Sequence, residues 1–120
     1  MKPKLLDIIL RIIERSERGS VEWEDASTLS TGEKFRAVVG ETIVETSEYS
    51  KFFEDDYGRE VEERFIRIQI LNSAGRILED ITVSDSNASF ELATQLFKTA
   101  RGKSRKSEEI LDRLLQKLGA

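Results

Sequence analysis

VEERFIRIQILNSAGRILEDITV, residues 61–83, decides the fold. Ile66, Ile68 and Ile70 alternate with Phe65, Arg67 and Gln69. A period of two is the signature of a strand with one buried face. Asn72-Ser73-Ala74-Gly75 is a four-residue group of turn formers. The alternation then resumes at Ile77, Glu79, Ile81 and Val83. A connection this short joins only antiparallel neighbours. The segment therefore predicts a hairpin whose apolar face needs a cover.

Working toward the N-terminus, residues 50–60 read as a charged connection and 41–49 as another strand, with Thr42, Val44 and Thr46 on one face. Gly40-Glu41 fits a tight hairpin with Gly first. Phe35, Ala37 and Val39 mark a strand over 34–39, residues 25–32 are turn formers, and Val21 and Trp23 mark a short strand over 20–24. Residues 4–18 change period. Lys4, Asp7, Arg11, Glu14, Arg15 and Arg18 form a narrow polar stripe, and aliphatic residues from Leu5 to Ile13 cover the rest of a helix stopped by Gly19. That apolar arc is about 200° wide, roughly twice what an ordinary surface helix needs.

Toward the C-terminus, residues 84–87 offer helix N-caps. Phe90, Ala93, Leu96, Phe97 and Ala100 predict a helix over 88–101 closed by Gly102, followed by a basic link at 103–106. Ser107 caps a last helix with Ile110, Leu111, Leu114, Leu115 and Leu118 on its apolar face. The expectation is a single α+β domain over 1–120: a four- to five-stranded antiparallel meander, an N-terminal helix and two C-terminal helices. Helices 4–18 and 88–101 should cover one sheet face, with Ile9, Ile12, Trp23, Phe35, Ile68, Ile81, Phe97 and Leu114 in the core.

Composition removes several functions. The chain has neither cysteine nor histidine, so thiol chemistry, disulfides and the usual zinc ligands are excluded, and a catalyst would lack the commonest general base. No catalytic, cofactor or metal residue is assigned, and no enzyme activity is expected. Nineteen basic and 23 acidic residues give a net charge of −4. That balance points neither to nucleic acid nor to a membrane surface as an overall partner. Asp7 and Arg11 break the first apolar stretch, which therefore reads as neither a signal peptide nor a membrane span. A cytoplasmic location follows as an expectation.

Three surface features remain. Lys98, Arg101, Lys103, Arg105 and Lys106 cluster at a helix end and link, where cations suit the helix dipole but also form a candidate anion contact. Gly102-Lys103-Ser104 ends like a P-loop, yet Phe97 stands where that motif needs a glycine. Residues 45–63 hold eight acids and two bases, a net of −6. Within them Glu54-Asp55-Asp56 departs from the spacing of a calcium loop and reads as a solvated acidic loop. Phe52, Phe53 and Tyr57 beside it are either a protein-binding tip or residues tucked under the sheet edge. Lastly, Leu6, Leu10 and Ile13 lie on the over-wide arc of the first helix and are candidates for an interface.

Trp23, the strand beginning at Phe35, the Asn72-to-Gly75 turn and the Leu96-Phe97…Ala100-Arg101 segment together resemble a pattern found in small uncharacterised bacterial α+β proteins. The resemblance implies the same layout and brings no known activity, so no functional residue is carried over from it. The expected function is a non-catalytic protein-interaction domain that forms a homodimer and binds a protein partner. The alternative is a weak nucleic-acid or phosphate binder using Lys98–Lys106, although nucleic acid is not expected as a strong partner because so few charges cluster.

Overall fold

The computed structural model describes residues 1–119 and, within the last helix, the side chains from Glu109 onward. The elements run α1 (Pro3–Glu17), β1 (Trp23–Asp25), β2 (Lys34–Val39), β3 (Thr42–Glu54), β4 (Glu60–Asn72), β5 (Ile77–Ser84), α2 (Phe90–Lys103) and α3 (Arg105–Lys117). The strands form one antiparallel sheet in the order β1-β2-β3-β4-β5, the meander expected from the sequence.

The sheet has one covered face. Register aligns Trp23 with Ala37, Phe35 with Thr46, Thr46 with Ile68, and Ile68 with Ile81. Because side chains alternate along each strand, this alignment sends one apolar set to one side. α2 lies on it, touching all five strands. Ala93, Leu96, Phe97 and Ala100 are fully buried there, and the two alanines let the helix sit close. The Phe97 ring packs on Phe35 at 5.5 Å. α1 packs beside α2 over the same face, and its Ile9, Ile12 and Ile13 share one buried cluster with Phe35, Val44, Ile66 and Ile68 of the strands. A buried polar chain also links it to the sheet: Trp23 Nε1–H donates to Ser16 Oγ (2.9 Å), and that hydroxyl donates to the Ile12 carbonyl (2.6 Å).

The expected core holds at Ile9, Ile12, Trp23, Phe35, Ile68 and Phe97, with Ile81 half-buried against it. Leu114 is a correction: it is 51% exposed. The reason lies one residue before α3. Gly102 does not close α2, and no linker follows; the helix runs to Lys103 and Ser104 alone is extended. Ser104 is buried, forms a parallel bridge with Trp23 at the edge of β1, and its hydroxyl donates to the Arg101 carbonyl (3.1 Å). That pairing starts α3 at the sheet's edge, beside the apolar face that α1 and α2 cover.

Two further corrections concern strands. The stretch 50–60 is not a loose connection, because β3 and β4 stay paired from Thr42↔Asn72 out to Glu54↔Glu60. A long two-stranded arm therefore leaves the body of the sheet. At the other end a bulge between Ile70 and Leu71 breaks the β4–β5 register, pairing Leu71 with Ile77 and Ile70 with Glu79. Ile77 is thereby turned away from the face of Ile81 and Val83 and is half exposed.

Candidate interaction site

The arm is built by its turn. Asp55 Oδ1 accepts the backbone N–H groups of Tyr57 and Arg59, both at 2.9 Å, and Asp55 Oδ2 accepts Arg59 Nε at 3.0 Å. The backbone N–H of Arg59 leads in holding the Asp55 carboxyl below its ordinary range, joined by that of Tyr57 and the Arg59 guanidinium. Gly58 supplies the positive φ, +74°, that such a turn needs. The β4–β5 turn repeats the device: Asn72 Oδ1 accepts Ala74 N–H at 3.0 Å and Arg76 N–H at 2.9 Å, and Gly75 has φ +83°. Asp55 is thus committed to the turn. Among the described residues, no group of three or more carboxylates could hold a metal ion.

Beyond the helices both faces of the arm meet solvent. On one side Phe53 opposes Val61, Lys51 opposes Glu63, and Tyr49 stacks on Phe65 at 5.1 Å. Phe52 is 63% exposed on the other side, and Tyr57 is 82% exposed at the tip with the Arg59 guanidinium 5.2 Å from its ring centre. Phe52 and Phe53 do not fold under the sheet edge. The candidates on α1 fare differently. Ile13 is 5% exposed and belongs to the core, which corrects its place as an interface residue. Leu6 is half-buried and Leu10 is exposed. α1 makes no close backbone approach to β3 or β4, so these leucines and the arm do not form one patch.

Ion pairs cross part of the uncovered sheet face. Glu45 is buried, and its carboxylate accepts Arg36 Nε at 3.2 Å and Nη2 at 3.1 Å and pairs with Lys34 Nζ. Burial pushes the Glu45 carboxyl up, but the hydrogen bond and charge of Lys34, with those of Arg36, more than offset it, and its pKa is lowered. Next along the face, Arg67 grips Asp80 with two bonds at 2.9 and 2.6 Å.

The basic cluster lies among acids. Arg101 pairs with Glu33 at 3.5 Å and stacks over Phe97. Lys98 shares a shallow hollow with Glu17 and Glu91, and Lys103 shares another with Glu22 and Glu24. The side chains of Arg105 and Lys106 lie outside the described residues.

A further uncovered apolar surface lies on α3. Ile110, Leu111, Leu114, Leu115 and Leu118 are each at least half exposed on one helix face. Their spacing was legible; their exposure was not, because an amphipathic pattern does not say what covers it. Among the described residues no helix is long and apolar enough to cross a membrane. Comparison with family models, with curated proteins and with solved structures finds no match to this chain.

Proposed function

We propose that this chain is a non-catalytic interaction domain that associates with a second copy of itself through α3. The observation that carries the reading is the row of exposed aliphatic side chains from Ile110 to Leu118. They recur at offsets of one, three, one and three residues, a seam that suits helix-to-helix packing. Charge favours an antiparallel partner. Glu109 and Asp112 lie toward the start of the seam and Arg113 and Lys117 toward its end. Reversing a second α3 about a two-fold axis near Leu114 sets the acids of each copy beside the bases of the other, as an isologous interface requires. The arm, with its exposed Phe52 and Tyr57 among acids, is the surface left for a protein partner.

The alternative, a weak phosphate or nucleic-acid binder through Lys98–Lys106, has less support, because acids flank the described cations of that cluster. Sedimentation velocity across a micromolar concentration series tests the leading reading. The native chain should dimerise, and Leu111→Glu with Leu115→Glu should give a monomer with unchanged circular dichroism. Lys117→Glu should weaken the dimer, and adding Glu109→Lys should restore it. A native chain that stays monomeric, or a dimer indifferent to all these changes, overturns the proposal.

A further inference from the structure

The end of the sheet away from the arm holds a cleft of about 370 Å³. It opens between α1 and the strands at the margin of the core they share. Ile8 and Ile12 of α1 form one wall; Val39, Val44 and Ile70 form the other. Leu78, next to the bulge in the β4–β5 register, flanks the opening. Ile8 and Val39 are only half-buried although they adjoin the core, and Ile70 is half-buried beside them in the cleft wall. The charged side chains lining the cleft are both guanidiniums, Arg11 and Arg15. Arg11 is braced one turn back by Asp7 at 3.2 Å. Arg15 has no carboxylate partner among the described residues.

An apolar trough with cations at its rim and no acid in its lining is complementary to an anion with a hydrocarbon tail. We propose that this cleft binds a free aliphatic carboxylate of short to medium chain length, with its tail along Ile8, Ile12 and Ile70 and its head between Arg11 and Arg15. The volume stands at the lower end of small-molecule sites, roughly 300–1,000 Å³, which selects a short chain over a long one. Burying the tail supplies affinity at about 25 cal/mol per Å² of apolar surface. Guanidinium pairs with carboxylate through two parallel hydrogen bonds, so the head group fixes orientation. The cleft shares no residue with α3, and this inference stands apart from self-association.

Calorimetric titration of the full chain with decanoate below its micelle concentration, and with decanol, tests it. Decanoate should bind saturably and more tightly than decanol. Arg11→Gln with Arg15→Gln should weaken decanoate about tenfold and leave decanol unchanged. Val39→Phe, which fills the cleft from a half-buried position, should abolish both while circular dichroism is preserved. The proposal is overturned by absent binding to the native chain, by decanol binding as tightly as decanoate, or by decanoate binding undiminished in the arginine variant or in Val39→Phe.

Discussion

α1 and α3 are both strongly amphipathic helices of similar length, 15 and 13 residues, yet they end in opposite circumstances. The apolar stripe of α1 buries Leu5, Ile9, Ile12 and Ile13, whereas on α3 Ile110, Leu111, Leu114 and Leu115 are all exposed, as is Leu118 in the turn that follows. Pattern alone does not separate them. What separates them is position on a finite surface: α1 and α2 share the sheet's apolar face, and Ser104 ties the start of α3 to the edge of β1. Amphipathicity states that a face needs cover; topology states whether the same chain supplies it.

The largest expected effect comes from the covered helix. Ile9 is 1% exposed in the core cluster, and Ile9→Ala should lower unfolding stability by about 2–5 kcal/mol in urea denaturation. A loss below about 1 kcal/mol would show that α1 is only loosely seated and would break the contrast. A smaller effect tests how α1 is anchored. Ser16→Ala strands the indole N–H of buried Trp23, which should cost about 1–3 kcal/mol by the same measurement. An unchanged midpoint would mean that the Ser16–Trp23 bond does not fasten α1 to the sheet.

The bare sheet face sharpens the comparison, since it is uncovered like α3 but carries paired charges at Glu45 and Asp80. The pKa of Glu45 is lowered from its ordinary value of 4.5, so its contribution is present above that pH and lost as pH falls through its lower folded value. Acid titration of stability should show this loss below about pH 4.5, and Glu45→Gln should flatten that part of the profile while costing about 1–2 kcal/mol at neutral pH. An identical acid profile in the variant would show that Lys34 and Arg36 do not hold the carboxylate. The smallest stability effect belongs to α3. In dilute, monomeric protein Leu114→Ala should change stability by less than about 0.5 kcal/mol. A loss of several kcal/mol would place Leu114 in the core after all.

The same contrast explains what was legible in the sequence. Where one face is buried, alternation is visible, as at Ile66-Arg67-Ile68-Gln69-Ile70, and the meander follows from it together with the Asn72-to-Gly75 turn. Along the arm both faces are wet, and Lys51-Phe52-Phe53-Glu54 has no alternation to read. A signal was nonetheless present there. Asp55-Asp56-Tyr57-Gly58-Arg59 matches Asn72-Ser73-Ala74-Gly75-Arg76 in its Asx, Gly and Arg positions and makes the same side-chain-to-backbone bonds, but its acids draw the eye to cations instead of a turn. Gly102 misleads for a different reason. A glycine near a helix end is a fair stop signal, but the actual stop comes from Ser104 meeting Trp23, a contact between residues far apart in the chain. Among the interface candidates, the exposure of Phe52 and Phe53 and the burial of Ile13 likewise depend on what packs where, which side-chain type does not encode.

The central claim, that a second copy covers the bare face of α3 in antiparallel register, has a direct measurement because the chain contains no cysteine. Leu114→Cys places a single thiol near the proposed two-fold axis, and Leu29→Cys places one on a fully exposed loop residue as a control. Mild oxidation at micromolar protein should convert the 114 variant to a disulfide-linked dimer and leave the 29 variant largely monomeric. A mixture of Ile110→Cys and Leu118→Cys chains should cross-link far better than either alone. Equal cross-linking at 29 and 114, or no preference for the mixed pair, would contradict the antiparallel α3 interface.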